Sequence, residues 1–160
     1  MSLCWIIEPI ILVLKQLLKI NAMNEPWTGG LSSFGLLLIL VFFLKKRGYF
    51  EHNDPRNINL GEIILSFLQF VTKLKYQQII LKANKGREQP EEKIRAFFSD
   101  NLMVPWVENP LMEQKNVTHS TYKFESILKL FYVSYESVFL GCFCNNHFNM
   151  QTVNIQNKQF

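Results

Sequence analysis

Apolar residues gather along this chain into four runs, separated by polar stretches rich in helix breakers. The first, over residues 5–20, reads as a helix with apolar side chains on more than one face. The turn "NAMNEPWTGG" closes it, and a second helix is predicted over residues 31–46, ending in basic residues that favour its dipole. A polar loop, "RGYFEHNDPRNIN", leads to Asn59, with Glu62 three residues on in the spacing of a capping box. The body that follows, "EIILSFLQFVTKL", has the period of an amphipathic third helix. "YQQIILKANKG" alternates weakly and predicts a short strand or hairpin near residues 75–86. Pro90 suits the first turn of a short helix, "PEEKIRAFF". Residues 100–120 read as extended or loop, and a last helix is expected over residues 121–140. The pattern predicts a mainly α fold with a minor β hairpin. A single domain over residues 1–144 is followed by a polar tail at 145–160, expected to fray.

The second run, "FGLLLILVFFL", is about half the roughly 20 apolar residues a membrane-spanning helix needs. The first run contains Glu8, Pro9 and Lys15, two charges costly in lipid and a proline that strains a spanning helix. No basic region precedes it and no small-residue cleavage site follows, so a secretory leader is a poor reading. Two core helices and no membrane association are therefore expected. With 160 residues, nearly half of them apolar, the chain can build one real core. A net charge of +4 suits contact with polyphosphate or RNA without requiring it. Three cysteines without framework spacing point to a reducing, intracellular compartment. Cys142 and Cys144 lie near His147 but lack a second ligand pair, so small buried side chains are the better reading than a metal site.

Lys15 and Lys19, four apart on a helix, point from one face. Such a pair is either a solvated edge or two arms reaching one polyanion. Gly29 and Gly30 permit close backbone approach, and Ser32 and Ser33 open the next helix, where free N–H groups and the dipole favour phosphate. Phe34 is either core or a flat face for a base. "GGLSS" is not a Walker loop, because no Gly-Lys-Ser/Thr ending follows.

The stretch "LVLKQLLKINAMNEPWTGGLSSFGLLLILVFFLKKRGYF" resembles the central domain of noncanonical poly(A) polymerases and terminal uridylyltransferases. That family carries a Lys-x-x-x-Lys helix, a Gly-Gly-Leu-Ser-Ser-Tyr turn and an apolar helix. "NINLGEIILSFLQFVTKLKY" and "VENPLMEQKNVTHSTYKFESILKLFYVSYESV" resemble two later blocks of the same family, in the same order. The likeness covers roughly residues 5–140.

The resemblance implies a helical central domain of a nucleotidyltransferase that binds ATP or UTP and acts on an RNA 3′ end, with adenylyl addition preferred over uridylyl. By it, Lys15 and Lys19 hold the outer phosphates, and Ser33, at the helix head with Ser32, also contacts phosphate. Phe34 stacks on the base where the family has Tyr. Asn109 and Lys115 belong to the base-reading loop, which begins Asn-Pro here and Asp-Pro in the family. Thr118-His119 stands where the family has Gly-Arg. The Mg2+ or Mn2+ of transfer is held in the family by a palm domain with an Asp-x-Asp pair. This chain has two aspartates, Asp54 and Asp100, and no such pair. Met1 falls where the central domain takes over from the palm. No catalytic residue is therefore expected here, and a palm supplied upstream or in trans is expected instead. The alternative is an inactive relative that serves as an RNA-processing scaffold. A nuclear setting is preferred over a cytoplasmic one.

Overall fold

The computed structural model describes residues 4–49, 58–84, 90–94 and 103–144. Its elements run α1 (Cys4–Ile20), a 3-10 turn (Pro26–Thr28), α2 (Ser33–Lys46), α3 (Leu60–Thr72), β1 (Ile79–Lys82), β2 (Glu91–Ile94), β3 (Trp106–Asn109), β4 (Met112–Asn116) and α4 (Phe124–Cys144). The four helices form where the apolar runs place them. Ile6, Ile10, Leu14 and Leu18 make the buried stripe of α1 at a spacing of four. Helix α2 is buried on nearly all sides, which is why its sequence shows no polar face. Phe43 near its C-terminal end meets Phe67 and Phe70 of α3 with ring centroids 5.6 and 5.3 Å away. Phe67 meets Phe131 of α4 at 6.3 Å, so one aromatic column joins three helices. Among the described residues no helix is long and apolar enough to cross a membrane.

Helix α3 starts as its sequence announces. The Asn59 side-chain oxygen accepts from the N–H groups of Gly61 and Glu62 at 3.0 and 3.3 Å. Asn59→Ala is expected to cost about 1 kcal/mol of stability. Urea denaturation measures it, and an unchanged midpoint would mean the cap is idle.

The mainly α expectation with a minor hairpin is corrected: the fold is α/β, with a four-stranded mixed sheet in the order β2-β1-β3-β4. Strand β1 is antiparallel to β2 and parallel to β3, while β3 and β4 form an antiparallel hairpin. The "PEEKIRAFF" segment, expected as a helix, gives strand β2 over Glu91–Ile94; residues 95–98 lie outside the described residues. Its Glu and Lys are good helix formers, but pairing with β1 overrides that local preference. Residues 106–116, expected as extended or loop, form β3 and β4. These strands are four or five residues long and mostly polar, so they carry no usable alternation. Leu81 of β1 and Val107 of β3 are paired neighbours, and both enter the helical core. Residues 50–57 of the expected loop over 47–59, the tail at 145–160, and the aspartates Asp54 and Asp100 lie outside the described residues.

Candidate nucleotide-binding site

The end of α1 is tied to the head of α2 by a short run of backbone bonds. Met23 N–H donates to the Leu18 carbonyl at 2.9 Å, and Leu31 N–H donates to the Met23 carbonyl at 2.8 Å. The Glu25 carbonyl accepts from the N–H groups of Thr28 and Gly30 and from the Thr28 hydroxyl. Gly29 takes the left-handed conformation, φ 83°, that ends the 3-10 turn. A side chain there would meet the ring of Tyr122, and the Gly29 carbonyl accepts from Lys123 N–H at 3.0 Å. This turn is therefore clamped on one side by α1 and on the other by the segment leading into α4.

Ser32 caps α2, its hydroxyl oxygen accepting from Gly35 N–H at 3.0 Å. The N–H groups of Ser33 and Phe34 make no hydrogen bond among the described residues, which leaves the helix head with two outward donors. Ser33 is exposed. Phe34 is 44% exposed, so it is not the core residue that one reading of the sequence allowed. Lys15 and Lys19 are both exposed on α1, Lys19 one turn from the clamped turn. Neither forms an ion pair among the described residues. Two unneutralised ammonium groups thus stand on the helix bonded through Leu18 and Met23 to the segment that carries Ser32, Ser33 and Phe34.

The remaining two sequence candidates lie on the β3–β4 hairpin. Asn109 lies at the turn of the β3–β4 hairpin, where its side-chain oxygen accepts from Leu111 N–H at 2.9 Å and shapes the turn. Lys115 is exposed on β4, with Nζ 3.9 Å from Met112 Sδ. Thr118 of this block reaches α2, buried with its methyl against Gly35. A side chain on Gly35 would lie 2.8 Å from that methyl. Asn116 holds Thr118 there: its oxygen accepts from the N–H groups of Val107 and Thr118, and its Nδ2 donates to the Pro105 carbonyl at 3.0 Å. Sequence reasoning marked Thr118 only as a departure from the family pattern, and missed Asn116 and the Tyr122 ring over Gly29. Their only signal was membership in the block containing "NVTHSTY", since what they do is packing across the fold.

Among the described residues no group of three or more His, Cys, Asp or Glu side chains converges where a metal ion could sit. The described residues therefore do not fit the divalent metals that the resemblance implies. The side chains of Cys142, Cys144 and His147 lie outside the described residues.

No family model matches the chain. It is 31% identical over 137 residues to the poly(A) RNA polymerase gld-4 of Caenorhabditis elegans, a match over 79% of this chain and 16% of that protein. It is 29% identical to the poly(A) RNA polymerase cid14 of Schizosaccharomyces pombe, over 72% of this chain and 17% of that protein. A third relative, the inactive non-canonical poly(A) RNA polymerase protein Trf4-2 of Drosophila melanogaster, is 24% identical over 71% of this chain and 29% of its own length. The chain thus spans about a sixth of the first two of these relatives. In fold it is similar to a chain of the polymerase core of TRAMP, an RNA surveillance complex, with a TM-score of 0.77 and 22% identity. That likeness covers 89% of this chain and 46% of the other.

Proposed function

Because the chain belongs to the noncanonical poly(A) polymerase family, we propose that it is the nucleotide-binding central domain of an RNA 3′-end nucleotidyltransferase of the poly(A) type. One observation carries this reading. The clamped turn joins the unpaired lysines of α1 to a helix head whose two outward N–H groups are free. Cations, free amide donors and a positive dipole end are the complement of a triphosphate. Lys15 and Lys19 hold the outer phosphates, Ser33 adds a hydroxyl, Ser32 fixes the helix start, and the Phe34 ring receives the base. ATP is the expected ligand, with UTP as the competitor. The divalent metal and its carboxylates come from a palm domain upstream or in trans. That domain aligns the RNA 3′-oxygen, while this chain's residues bind and orient the nucleotide. An intracellular, nuclear setting goes with this role.

A second reading has an observation of its own. The Asn109 side chain is engaged within its own hairpin, and Lys115 lies on β4 with its Nζ 3.9 Å from Met112 Sδ. That suits a relative whose base-reading loop has decayed and which serves RNA processing as a scaffold. Calorimetric titration with ATP separates the two. Measurable binding that weakens about tenfold or more in a Lys15→Ala, Lys19→Ala double variant supports the nucleotide site, since each lost charge-assisted contact is worth about 1.5–3 kcal/mol. Absence of ATP and UTP binding by the folded chain sinks it in favour of the scaffold.

A further inference from the structure

At the other end of α2 the chain forms a second, basic feature. Helices α2 and α3 both terminate beside β1 and β2, around a surface cleft of about 360 Å³. Four cations line it: Lys46 and Arg47 from the end of α2, Lys73 from the C-cap of α3, and Lys75 just beyond. Among the described residues Glu92 is the single carboxylate lining the cleft, and it pairs with Lys46. All four cations are exposed. Neutralising helix dipoles does not account for them. Each helix C-terminus contributes about half a negative charge, so two termini and Glu92 offset about two of the four positive charges. The excess lies in a concave site, where low-dielectric walls focus its field. Phe70, Leu74 and Ile79 also line the cleft, and Lys46 Nζ sits 5.9 Å from the Phe70 ring centroid.

We propose that this cleft binds the sugar–phosphate backbone of single-stranded RNA without sequence preference. A run of cations beside an aromatic side chain is the arrangement that tracks a phosphodiester strand while tolerating any base. Helix α2 runs fourteen residues from Ser33 to Lys46, so the cleft lies about 20 Å from Ser33. The cleft is thus a site apart from the triphosphate site, placed to hold the RNA body while its end lies elsewhere. The inference shares the RNA substrate with the proposed function but does not depend on nucleotide binding.

The test is fluorescence anisotropy of a short labelled oligoadenylate with the full chain, without triphosphate or metal, across about 50–200 mM salt. A Lys73→Ala, Lys75→Ala double variant is expected to bind about tenfold more weakly at low salt. The log–log salt slope should become shallower by about 1.4, near 0.7 for each lost phosphate contact on a single strand. ATP titration of the same variant should be unchanged, which keeps failure here distinct from failure of the nucleotide site. Arg47→Gln, read the same way, gives an independent replicate, and a thermal melt checks that each variant is folded. Unchanged RNA affinity and slope in both folded variants overturns the proposal. Loss of RNA binding from Lys15→Ala, Lys19→Ala alone also overturns it. So does displacement of the RNA by polyglutamate at equal charge concentration, because the cleft would then be a general anion site indifferent to a phosphodiester strand.

Discussion

Gly30→Ala is expected to destabilise the fold by about 3 kcal/mol or more, well beyond the effect of Gly29→Ala. A Cβ on Gly30 would lie 2.5 and 2.6 Å from the carbonyl oxygen and carbon of Met23, and 2.7 Å from the Glu25 nitrogen. All three atoms are backbone, so no side chain can swing away. The Met23 carbonyl is also the acceptor for Leu31 N–H, and the Gly30 N–H bonds to Glu25, so relief of the clash breaks the bonds that join α1 to α2. Gly29 differs. Its added methyl meets the ring of Tyr122, which is 57% exposed and free to rotate outward. What remains there is the cost of a left-handed alanine, about 1–2 kcal/mol. Urea denaturation of both variants gives the order. A Gly30→Ala chain within about 1 kcal/mol of the parent, on the same scale, would show that the turn is not held as described. ATP affinity of the surviving Gly30→Ala fraction should fall as well, because the turn sets where Ser33 stands relative to Lys19.

Phe43→Ala should cost about 3–5 kcal/mol. The ring is fully buried and contacts Phe67 edge-on and Phe70 at a tilt, with Tyr49 6.4 Å away. Its removal opens the aromatic column that joins α2 to α3 and, through Phe67, to α4. The surrounding structure relaxes only partly into such a space. Phe34→Ala is the internal control: the same chemical deletion at a 44% exposed position should change stability by under about 1 kcal/mol. If the ring stacks on a base, that variant instead loses about 1–3 kcal/mol of nucleotide binding. A Phe43→Ala melt matching that of Phe34→Ala would refute the core described here.

Part of the candidate site is legible in the sequence. Lys15 and Lys19 need only a helix period to share a face, and Ser32 and Ser33 need only their place after a glycine pair to head a helix. Asn109 and Lys115 stand out by their position in a family-like block, and only the fold shows that they lie on the β3–β4 hairpin. Lys45 shows the same limit from the other side. In sequence it is one of two basic residues completing the dipole of α2. In the fold it is buried, and its ammonium donates to the carbonyls of Ala83 and Asn84, both at 2.9 Å, holding the end of β1 against the helix. Lys46, its neighbour, is exposed and turns toward the basic cleft.

The sequence by itself determined the four helices, the buried run of α2, the cap at Asn59 and the close turn at Gly29 and Gly30. Each follows from residues within a few positions of one another, through periodicity, capping or backbone freedom. Only the tertiary structure decided the sheet. Strand β1 pairs in parallel with β3, more than twenty residues on, and with a β2 whose composition favours a helix. It also decided that Thr118 packs its methyl against Gly35 of α2 and that Asn116 holds it there. Strand pairing and buried polar contacts draw their energy from partners distant in sequence, so no local window of the chain contains the information that fixes them.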